Sequence, residues 1–226
     1  MNPRFSNAKW IFFDVGYTLL DETGSWDERF THLASMLSER RGRPIAKAAI
    51  WTLYNDACER FEPKQWLTVC KGLAQDADEC AELARLSSGW DHKLEKPHAG
   101  AGDVLRALAP RYRLGIIANQ SLGTWERLCG HGWGELISVC VGSAEAGVMK
   151  PDPAIFQLAL RKAGCEPSEA VMVGDRIDND VAPARKLGMA TIHVRQGGSG
   201  RQRPRAADET PDAVVDSIAD VAARFV

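Results

Sequence analysis

The sequence has no long apolar run. Its uninterrupted hydrophobic stretches are short, as in Trp10 to Phe13, whereas a helix that crosses a bilayer needs about 20 apolar residues. The first ten residues, MNPRFSNAKW, lack the apolar core of a secretory signal. Charge of one sign is not in excess either, because 28 Lys and Arg against 30 Asp and Glu leave a formal net charge of -2. This balance gives no broad attraction to nucleic acid or to an anionic membrane, so neither is an expected partner.

Paired motifs for disulfides or zinc are missing as well. The six cysteines show no CxxC pair and no disulfide-framework spacing. Free, mostly buried thiols in a reducing cytoplasm are therefore expected, and a structural zinc site is disfavoured. The five histidines form no HxxxH or HxH pair. His193, within ATIHV, is expected to pack in a sheet rather than to act as a base.

Apolar segments typical of strands alternate with helical segments from Pro97 onward. Gly164 and Gly188 follow the last turns of two of the helical segments, DPAIFQLALRKAG and NDVAPARKLG, where a left-handed residue is favourable. Parallel neighbours need crossover connections, so this alternation predicts a doubly wound, Rossmann-like parallel sheet of the α/β class. The predicted strands are Trp10 to Phe13, Arg111 to Asn119, Leu136 to Ser143, Ala170 to Asp175 and Ala190 to Val194.

The chain between the first two predicted strands reads as helices throughout. Apolar residues recur at helical spacing in FTHLASMLSERRG and IWTLYNDACERF. We therefore expect an all-helical cap over residues 23–95, inserted into a core of residues 1–22 and 96–226. Trp51, Trp66 and Trp90 are expected in the core of the cap.

One segment, RQGGSGRQRPR from Arg195 to Arg205, differs in composition from the rest of the chain. Its glycines and arginines favour a mobile, solvated loop. It follows a predicted strand end, so the alternative is that it flanks a phosphate-bearing substrate.

Polar side chains lie at or near the ends of four predicted strands. Asp14 ends the first strand, Asn119 ends the next, Lys150 follows the third, and Asp175 ends the fourth, with Asp180 on the helix start beyond it. Ligands of doubly wound sheets bind outside the carboxyl ends of the strands. Mg²⁺ prefers a few hard oxygen ligands and keeps several waters. Carboxylates beside one lysine therefore predict a site for Mg²⁺ and phosphate, in which metal and lysine offset anionic repulsion.

Asp178, between those last two carboxylates, is expected to cap the helix that starts at Asn179.

These motifs, in this order, resemble the haloacid dehalogenase (HAD) superfamily of hydrolases. The resemblance rests on Asp14–Thr18, Asn119, Lys150-Pro151 and Gly174-Asp175 with Asp180, and it spans nearly the whole chain. Its most specific part is the spacing of KPDPAIF, VGDRIDNDV and LGM. The resemblance implies a Rossmann-like core, a helical cap inserted after the first motif, and a small phosphorylated metabolite as substrate.

The resemblance also implies roles for single residues. Asp14 would be the nucleophile that forms a phosphoryl-aspartate. Asp14, Asp175 and the backbone carbonyl of Gly16 would bind Mg²⁺. Lys150 would hold the nucleophile and the phosphate, and Asp180 would orient Lys150 or the water ligands of the metal.

Phosphate binding is the remaining role that the resemblance implies, and it falls on Thr18, Asn119 and Lys150. Family phosphatases usually carry a Thr or Ser where this chain has Ala118. Asn119 or Ser121 is the expected substitute for that hydroxyl.

Gly16 is the second departure from the family pattern. Family phosphatases usually have an aspartate there, which protonates the leaving alcohol and later activates water. Such positioned acid–base catalysis contributes about 10²–10⁴-fold. Tyr17 could replace the acid, although a reference pKa near 10 makes it a poor proton donor.

The leading hypothesis is a Mg²⁺-dependent phosphohydrolase that favours good leaving groups. One alternative is a binding or regulatory protein of the same fold that has lost turnover. Another is a 2-haloacid dehalogenase, since a halide leaves without a proton, although such enzymes work without metal. A phosphonate-cleaving enzyme would need a cap lysine, for which Lys47, Lys64 and Lys71 are available. Substrate identity and oligomeric state are left open.

Overall fold

The computed structural model describes residues 2–86 and 92–225. The chain divides into two compact units, which we call the sheet unit (Met1–Asp21 and Pro97–Val226) and the helical unit (Glu22–Lys96). The predicted boundaries of core and cap differ from these by one residue. That the helical unit acts as a cap stays a prediction.

The described residues form eight strands and nine α-helices. The strands are β1 Trp10–Phe13, β2 Leu20–Asp21, β3 Lys96–Pro97, β4 Arg113–Ala118, β5 Ile137–Gly142, β6 Ala170–Gly174, β7 Ala190–Val194 and β8 Ala213–Val215. The helices are α1 Thr23–Arg41, α2 Lys47–Glu59, α3 Gln65–Leu73, α4 Ala77–Arg85, α5 Ala101–Leu108, α6 Thr124–Gly130, α7 Ser143–Ala146, α8 Pro153–Ala163 and α9 Ala182–Leu187.

Six strands of the sheet unit form one parallel sheet in the order β5-β4-β1-β6-β7-β8. The prediction of a doubly wound α/β fold is confirmed. The sequence reasoning missed β8, whose three residues are too few to show a pattern. β1 lies between β4 and β6, so its carboxyl end is flanked by the ends of two other predicted strands.

Alternate residues of β1 pack on opposite faces of the sheet. Ile11 and Phe13 join one apolar cluster that includes residues of α5, and Trp10 and Phe12 join a second that includes residues of α8. A parallel sheet covered on both faces needs such continuously apolar strands. This explains why WIFF shows no polar alternation.

Both ends of α8 are capped, and the cap at its C-terminal end was predicted from the sequence. The Asp152 carboxylate accepts a hydrogen bond of 2.8 Å from the Ala154 amide, and Pro153 occupies the first turn. Gly164 ends the helix with a φ of 62°, and Gly188 ends α9 with a φ of 95°. Both glycines therefore adopt the predicted left-handed conformation.

The helical unit has an apolar core of its own, built from α1 to α4. Trp51 and Trp66 are partly buried and pack against this core, whereas Trp90 lies outside the described residues. The guanidinium of Arg29 lies over the rings of Trp26 and Trp66, at 5.5 and 5.1 Å from their centroids. The fully buried members of this core are Phe30, Leu33, Leu37, Ile50, Val69, Cys70 and Leu83.

None of the described helices is both long and apolar enough to cross a bilayer. All six cysteines are free thiols. Only Cys58 and Cys70 are buried, three others are half-buried and Cys129 is exposed, so the expectation of mostly buried thiols is wrong.

The compositionally unusual segment is not a solvated loop along its whole length. Ser199, Gly200 and Gln202 are buried, although Arg201 and Arg203 are exposed. The prediction of a solvated loop is therefore wrong for the middle of the segment.

Candidate active site

Two neighbouring strands bring two carboxylates to the same edge of the sheet. Phe13 of β1 pairs with Val173 of β6, and the Asp14 amide donates a hydrogen bond of 2.9 Å to the Val173 carbonyl. Asp14 directly follows β1, and Asp175 directly follows β6. Because parallel strands end at the same edge, both side chains project from one end of the sheet.

Lys150 lies between two carboxylates of this site. Its ammonium Nζ donates a hydrogen bond of 2.6 Å to Oδ1 of Asp14 and another of 2.6 Å to Oδ1 of Asp180. All three side chains are buried, and Lys150 is only 2% exposed. Charge-assisted bonds of this length are strong, and they fix the lysine between the two acids.

The Asn119 side chain holds the backbone of that lysine. The Lys150 amide donates to Oδ1 of Asn119 at 2.7 Å, and Nδ2 of Asn119 donates to the Lys150 carbonyl at 2.9 Å. Asn119 directly follows β4, so this pair of bonds ties Lys150 to the end of the sheet. We infer that Asn119 positions Lys150, and its predicted contact with phosphate stays a prediction.

Three carboxylates converge in this buried space. Oxygen atoms of Asp14, Asp175 and Asp180 lie within 4.8 Å of one another. Burial, followed by the charges of Asp14 and Asp180, raises the pKa of Asp175 well above its usual value. Burial also raises the pKa of Asp180 to about 6, despite the opposing effect of Lys150. These raised pKa values show that the ammonium of Lys150 does not offset the repulsion among three ionised carboxylates, and hard oxygen donors of this kind fit a divalent cation, which would supply the missing positive charge.

The ammonium of Lys150 responds to two opposing effects. Burial lowers its pKa because a charged amine loses hydration. The charges of Asp14 and Asp180, and the hydrogen bonds to them, outweigh that effect and raise the pKa above its usual value. Lys150 therefore stays charged at neutral pH.

A glycine makes room for Asp180. A Cβ atom added to Gly174 would lie 2.3 Å from the carboxylate carbon Cγ of Asp180, far inside van der Waals contact. The other oxygen of Asp180, Oδ2, accepts a hydrogen bond of 3.0 Å from the Arg176 amide. The carboxylate is thus packed directly on the backbone of the strand that carries Asp175.

The Gly174→Ala substitution is expected to displace Asp180 from Lys150. Overpacking of this kind costs typically about 1–3 kcal/mol of the free energy of unfolding. Urea unfolding of the variant measures the loss, with Gly130→Ala as the control because a Cβ there meets no atom within 4 Å. Equal stability of Gly174→Ala and wild type would contradict the packing described for Asp180.

The loop after Asp14 is a tight turn. The Val15 carbonyl accepts hydrogen bonds from the amides of Thr18, Leu19 and Leu20 at 3.2, 2.9 and 2.9 Å. Tyr17 has a φ of 53°, which is unusual for a residue other than glycine. Thr18 is fully buried, and its hydroxyl has no hydrogen-bond partner within residues 2–86 and 92–225.

Known proteins with similar sequences are HAD-like hydrolases and phosphatases. Residues 148–221 match the model of the HAD-hydrolase-like family. A glyceraldehyde 3-phosphate phosphatase of Pyrococcus abyssi is 36% identical, over 84% of this chain and 82% of that protein. A phosphoglycolate phosphatase of Rhodospirillum rubrum is 31% identical, over 84% of this chain and 81% of that protein. The chain belongs to the HAD superfamily of hydrolases.

A solved structure of another HAD protein shows the same fold. The putative HAD-hydrolase YfnB of Bacillus subtilis, bound to magnesium, superposes with a TM-score of 0.72 at 19% identity, over 96% of this chain and 98% of that chain. The sequence relatives therefore assign this protein to the enzymes of the HAD superfamily, and the solved structure shows the same fold.

The two departures from the HAD pattern lie in different surroundings. Gly16 is half-buried in the loop after Asp14 and forms an isolated β-bridge with Leu20. Ala118 is fully buried and packs in the apolar cluster of the sheet. Ser121, one of its expected substitutes, is exposed. Its hydroxyl donates weakly to the Leu122 carbonyl at 3.4 Å.

Asp178 is not the helix cap that the sequence predicts. The turn Ile177–Val181 begins before it, and the residue preceding that turn, Arg176, makes no side-chain cap. The Asp178 carboxylate accepts hydrogen bonds from the Arg176 guanidinium at 3.1 and 2.5 Å. The Asp178 carboxylate therefore pairs with the Arg176 guanidinium and does not cap a helix.

His193 packs in the sheet, as expected. It is 2% exposed, and its Nε2 lies 2.9 Å from the backbone carbonyl of Asp175. Burial lowers the pKa of His193, so the imidazole is neutral at pH 7 and its Nε2–H donates to that carbonyl. Sequence reasoning did not find this contact because the two residues meet only through the pairing of β6 with β7.

Proposed function

We propose that this HAD hydrolase is a Mg²⁺-dependent phosphatase of a small phosphorylated metabolite that reacts through an aspartyl-phosphate on Asp14. The observation that carries the proposal is the buried convergence of Lys150 with Asp14, Asp175 and Asp180 at one end of the sheet. The relatives named as glyceraldehyde 3-phosphate and phosphoglycolate phosphatases support the same substrate class.

The proposed metal ligands are Asp14, Asp175 and the backbone carbonyl of Gly16. Bound there, Mg²⁺ would supply positive charge that stabilises the charge developing on the phosphoryl oxygens. The fit rests on the oxygen-only donor set and on the excess negative charge of the three carboxylates. Asp180 is bound to Lys150, so we assign it to holding that lysine.

In the proposed reaction an oxygen of the Asp14 carboxylate attacks phosphorus, and the bond from phosphorus to the substrate oxygen breaks. The substrate oxygen leaves with the bonding electrons. Water then attacks the phosphorus of the aspartyl-phosphate, which releases inorganic phosphate and restores the carboxylate. Lys150 lowers the electrostatic cost of bringing an anionic phosphate to an anionic nucleophile. The Thr18 hydroxyl, which has no partner in the described part of the chain, is the proposed donor to a phosphate oxygen.

Gly16 offers no side chain that could protonate the leaving oxygen. Aryl phosphates release phenolates, whose conjugate acids have pKa values near 10, and so need less protonation than alkyl phosphates. We expect hydrolysis of p-nitrophenyl phosphate to depend on Mg²⁺ and to be at least about tenfold faster than hydrolysis of alkyl phosphates. This ratio is smaller than the usual rate contribution of a positioned acid. Phosphate release with and without Mg²⁺ measures both effects. Equal rates for aryl and alkyl substrates would contradict the leaving-group argument, and no turnover in either condition would contradict the proposed function.

The Gly16→Asp substitution is expected to raise alkyl phosphate hydrolysis roughly 10²-fold, the lower end of the range for positioned acid–base catalysis. Aryl phosphate hydrolysis is expected to rise much less, because its leaving group needs little protonation. Initial rates on both substrates test this, with Gly16→Asn as the control of similar size that has no acid. An equal gain from aspartate and asparagine would show that proton transfer is not the missing element.

Carbon–halogen hydrolysis has weaker support. A metal-free reaction would not need Asp175 beside Asp14, because that carboxylate adds repulsion between buried acids. Release of chloride from 2-chloropropionate, measured with the protein in the absence of metal, would favour the dehalogenase instead.

A further inference from the structure

The segment Arg195–Gln202, which we call the strap, folds back on itself after β7. The Gly200 amide donates to the Gly197 carbonyl at 3.3 Å, and the Gln202 amide donates to the Ser199 carbonyl at 2.9 Å. A Cβ atom added to Gly200 would lie 2.6 Å from the carbonyl carbon of Arg195, so the turn requires glycine there. The burial of Ser199, Gly200 and Gln202 makes this part of the strap part of the fold.

Gln202 joins the end of the strap to the loop that carries Asp175 and Asp180. The side chain is 1% exposed, and its Oε1 accepts a hydrogen bond of 2.7 Å from the Ile177 amide. Its Nε2 donates to Oδ1 of Asp178 at 3.2 Å. Gln202 therefore contacts this loop between two of the three converging carboxylates.

The other end of the strap reaches the loop that follows Asp14. A Cβ atom added to Gly197, which has a φ of 60°, would lie 2.4 Å from Cγ of the Tyr17 ring. The Gln196 Nε2 donates weakly to the Tyr17 carbonyl at 3.4 Å, and its Oε1 accepts a hydrogen bond from the Ile218 amide. The strap thus contacts both loops that carry the acids of the site.

Repulsion among the carboxylates explains why such a restraint is useful. Asp14, Asp175 and Asp180 lie within 4.8 Å of one another, and one ammonium does not neutralise three carboxylates. In the ionised form that binds a metal, this repulsion pushes the two loops apart unless other contacts fix their backbones. Metal affinity depends on such outer contacts, whose removal typically costs about 10–100-fold.

We infer that Gln202 is a positioning residue, which holds the 175–180 loop through Ile177 and Asp178 so that Asp175 meets Asp14 at the spacing a metal needs. This inference rests on the proposed function for its metal. The hydrogen bond from the Ile177 amide to Gln202 is independent of activity and gives a direct measure of the restraint.

The test replaces Gln202 by methionine, which has a similar length and cannot accept the Ile177 hydrogen bond. Hydrogen exchange at the Ile177 amide is expected to become about fivefold faster or more, as for loss of one hydrogen bond. The dissociation constant for Mg²⁺, measured by calorimetry with the metal alone, is expected to rise about tenfold. Turnover of p-nitrophenyl phosphate is expected to fall at limiting Mg²⁺ and to recover at excess Mg²⁺, which a general loss of structure would not produce.

Two further variants separate this role from a general effect of substitution. Gln202→Glu keeps an acceptor for the Ile177 amide but replaces the Nε2 donor to Asp178 by a second carboxylate, so its exchange at Ile177 is expected to lie between that of wild type and that of Gln202→Met. Gln157→Met, at an exposed glutamine of α8, serves as the control. Should Gln202→Met not fold, Gln202→Asn gives the same readouts with a side chain that is one methylene too short.

The outcomes also distinguish this inference from the proposed function. Unchanged Ile177 exchange and unchanged Mg²⁺ affinity in the folded Gln202 variant, beside a wild type that binds Mg²⁺, would overturn only the role of Gln202. A wild type that neither binds Mg²⁺ nor hydrolyses p-nitrophenyl phosphate would overturn the proposed function, and with it the positioning role.

Discussion

The Asp14→Asn variant is expected to lose at least roughly 10⁴-fold in p-nitrophenyl phosphate turnover, on the scale on which removal of a nucleophile or its base acts. An amide oxygen is a poor nucleophile toward phosphorus, and the variant lacks one anionic ligand for Mg²⁺. The fold should persist, because Lys150 keeps its 2.6 Å hydrogen bond to Asp180 and the repulsion among carboxylates falls. The loss is therefore expected in kcat rather than in the amount of folded protein.

The measurement compares steady-state rates of wild type and Asp14→Asn at saturating Mg²⁺, with circular dichroism as the check on folding. Asp103→Asn is a matched control, since Asp103 is an exposed residue of α5 whose pair with Arg106 lies at the surface. Wild-type rates in Asp14→Asn would exclude Asp14 as the nucleophile. Transfer of phosphate label to the protein in wild type, and not in the variant, would support the aspartyl-phosphate directly.

Substitution of Lys150 by methionine is expected to lower the free energy of unfolding by about 3 kcal/mol at pH 8, the lower end of the range for breaking a buried ion pair. The ammonium is 2% exposed and bound to Asp14 and Asp180, so its removal leaves buried carboxylates without a counter-charge. Turnover is expected to fall as well, because the phosphate loses the positive charge that faces the nucleophile.

The loss of stability in Lys150→Met is expected to depend on pH, and the pKa of Asp180 determines the sign of that dependence. Burial raises the pKa of Asp180 to about 6 in the folded protein, above its unfolded value of 3.8. A group with a raised pKa contributes stability that is fully present below the unfolded pKa and lost as pH rises through the folded pKa. Without Lys150 this loss is larger, so Lys150→Met is expected to be closer to wild type at pH 5 than at pH 8.

Urea unfolding at pH 5 and pH 8, with and without Mg²⁺, measures these effects. Lys162→Met is the control, because Lys162 is an exposed residue of α8. Mg²⁺ is expected to restore part of the stability of Lys150→Met at pH 8, since a ligand that binds only the folded state stabilises it by mass action. Equal stability of Lys150→Met and wild type at pH 8 would contradict the electrostatic account of the site.

Local patterns in the sequence predicted most of the strands and the α/β fold class. The strands β1 and β7 were predicted with their exact bounds, and β4, β5 and β6 within a few residues. Buried parallel strands are continuously apolar, and glycine at a helix end has a specific conformational cause, so both signals can be read from neighbouring residues. The shared edge of parallel strands also predicted that Asp14 and Asp175 lie close together.

Contacts between distant segments were decided by the tertiary structure alone. The sequence by itself determined the α/β class, the helical insertion and the identity of Asp14, Lys150, Asp175 and Asp180 as candidates, because apolar periodicity and strand ends are local properties. It did not determine that Gly174 makes room for Asp180, or that a glutamine of the strap accepts the Ile177 amide 25 residues away. A polar residue carries no local sign of whether it will be solvated or buried beside a partner, and only the folded chain supplies that partner.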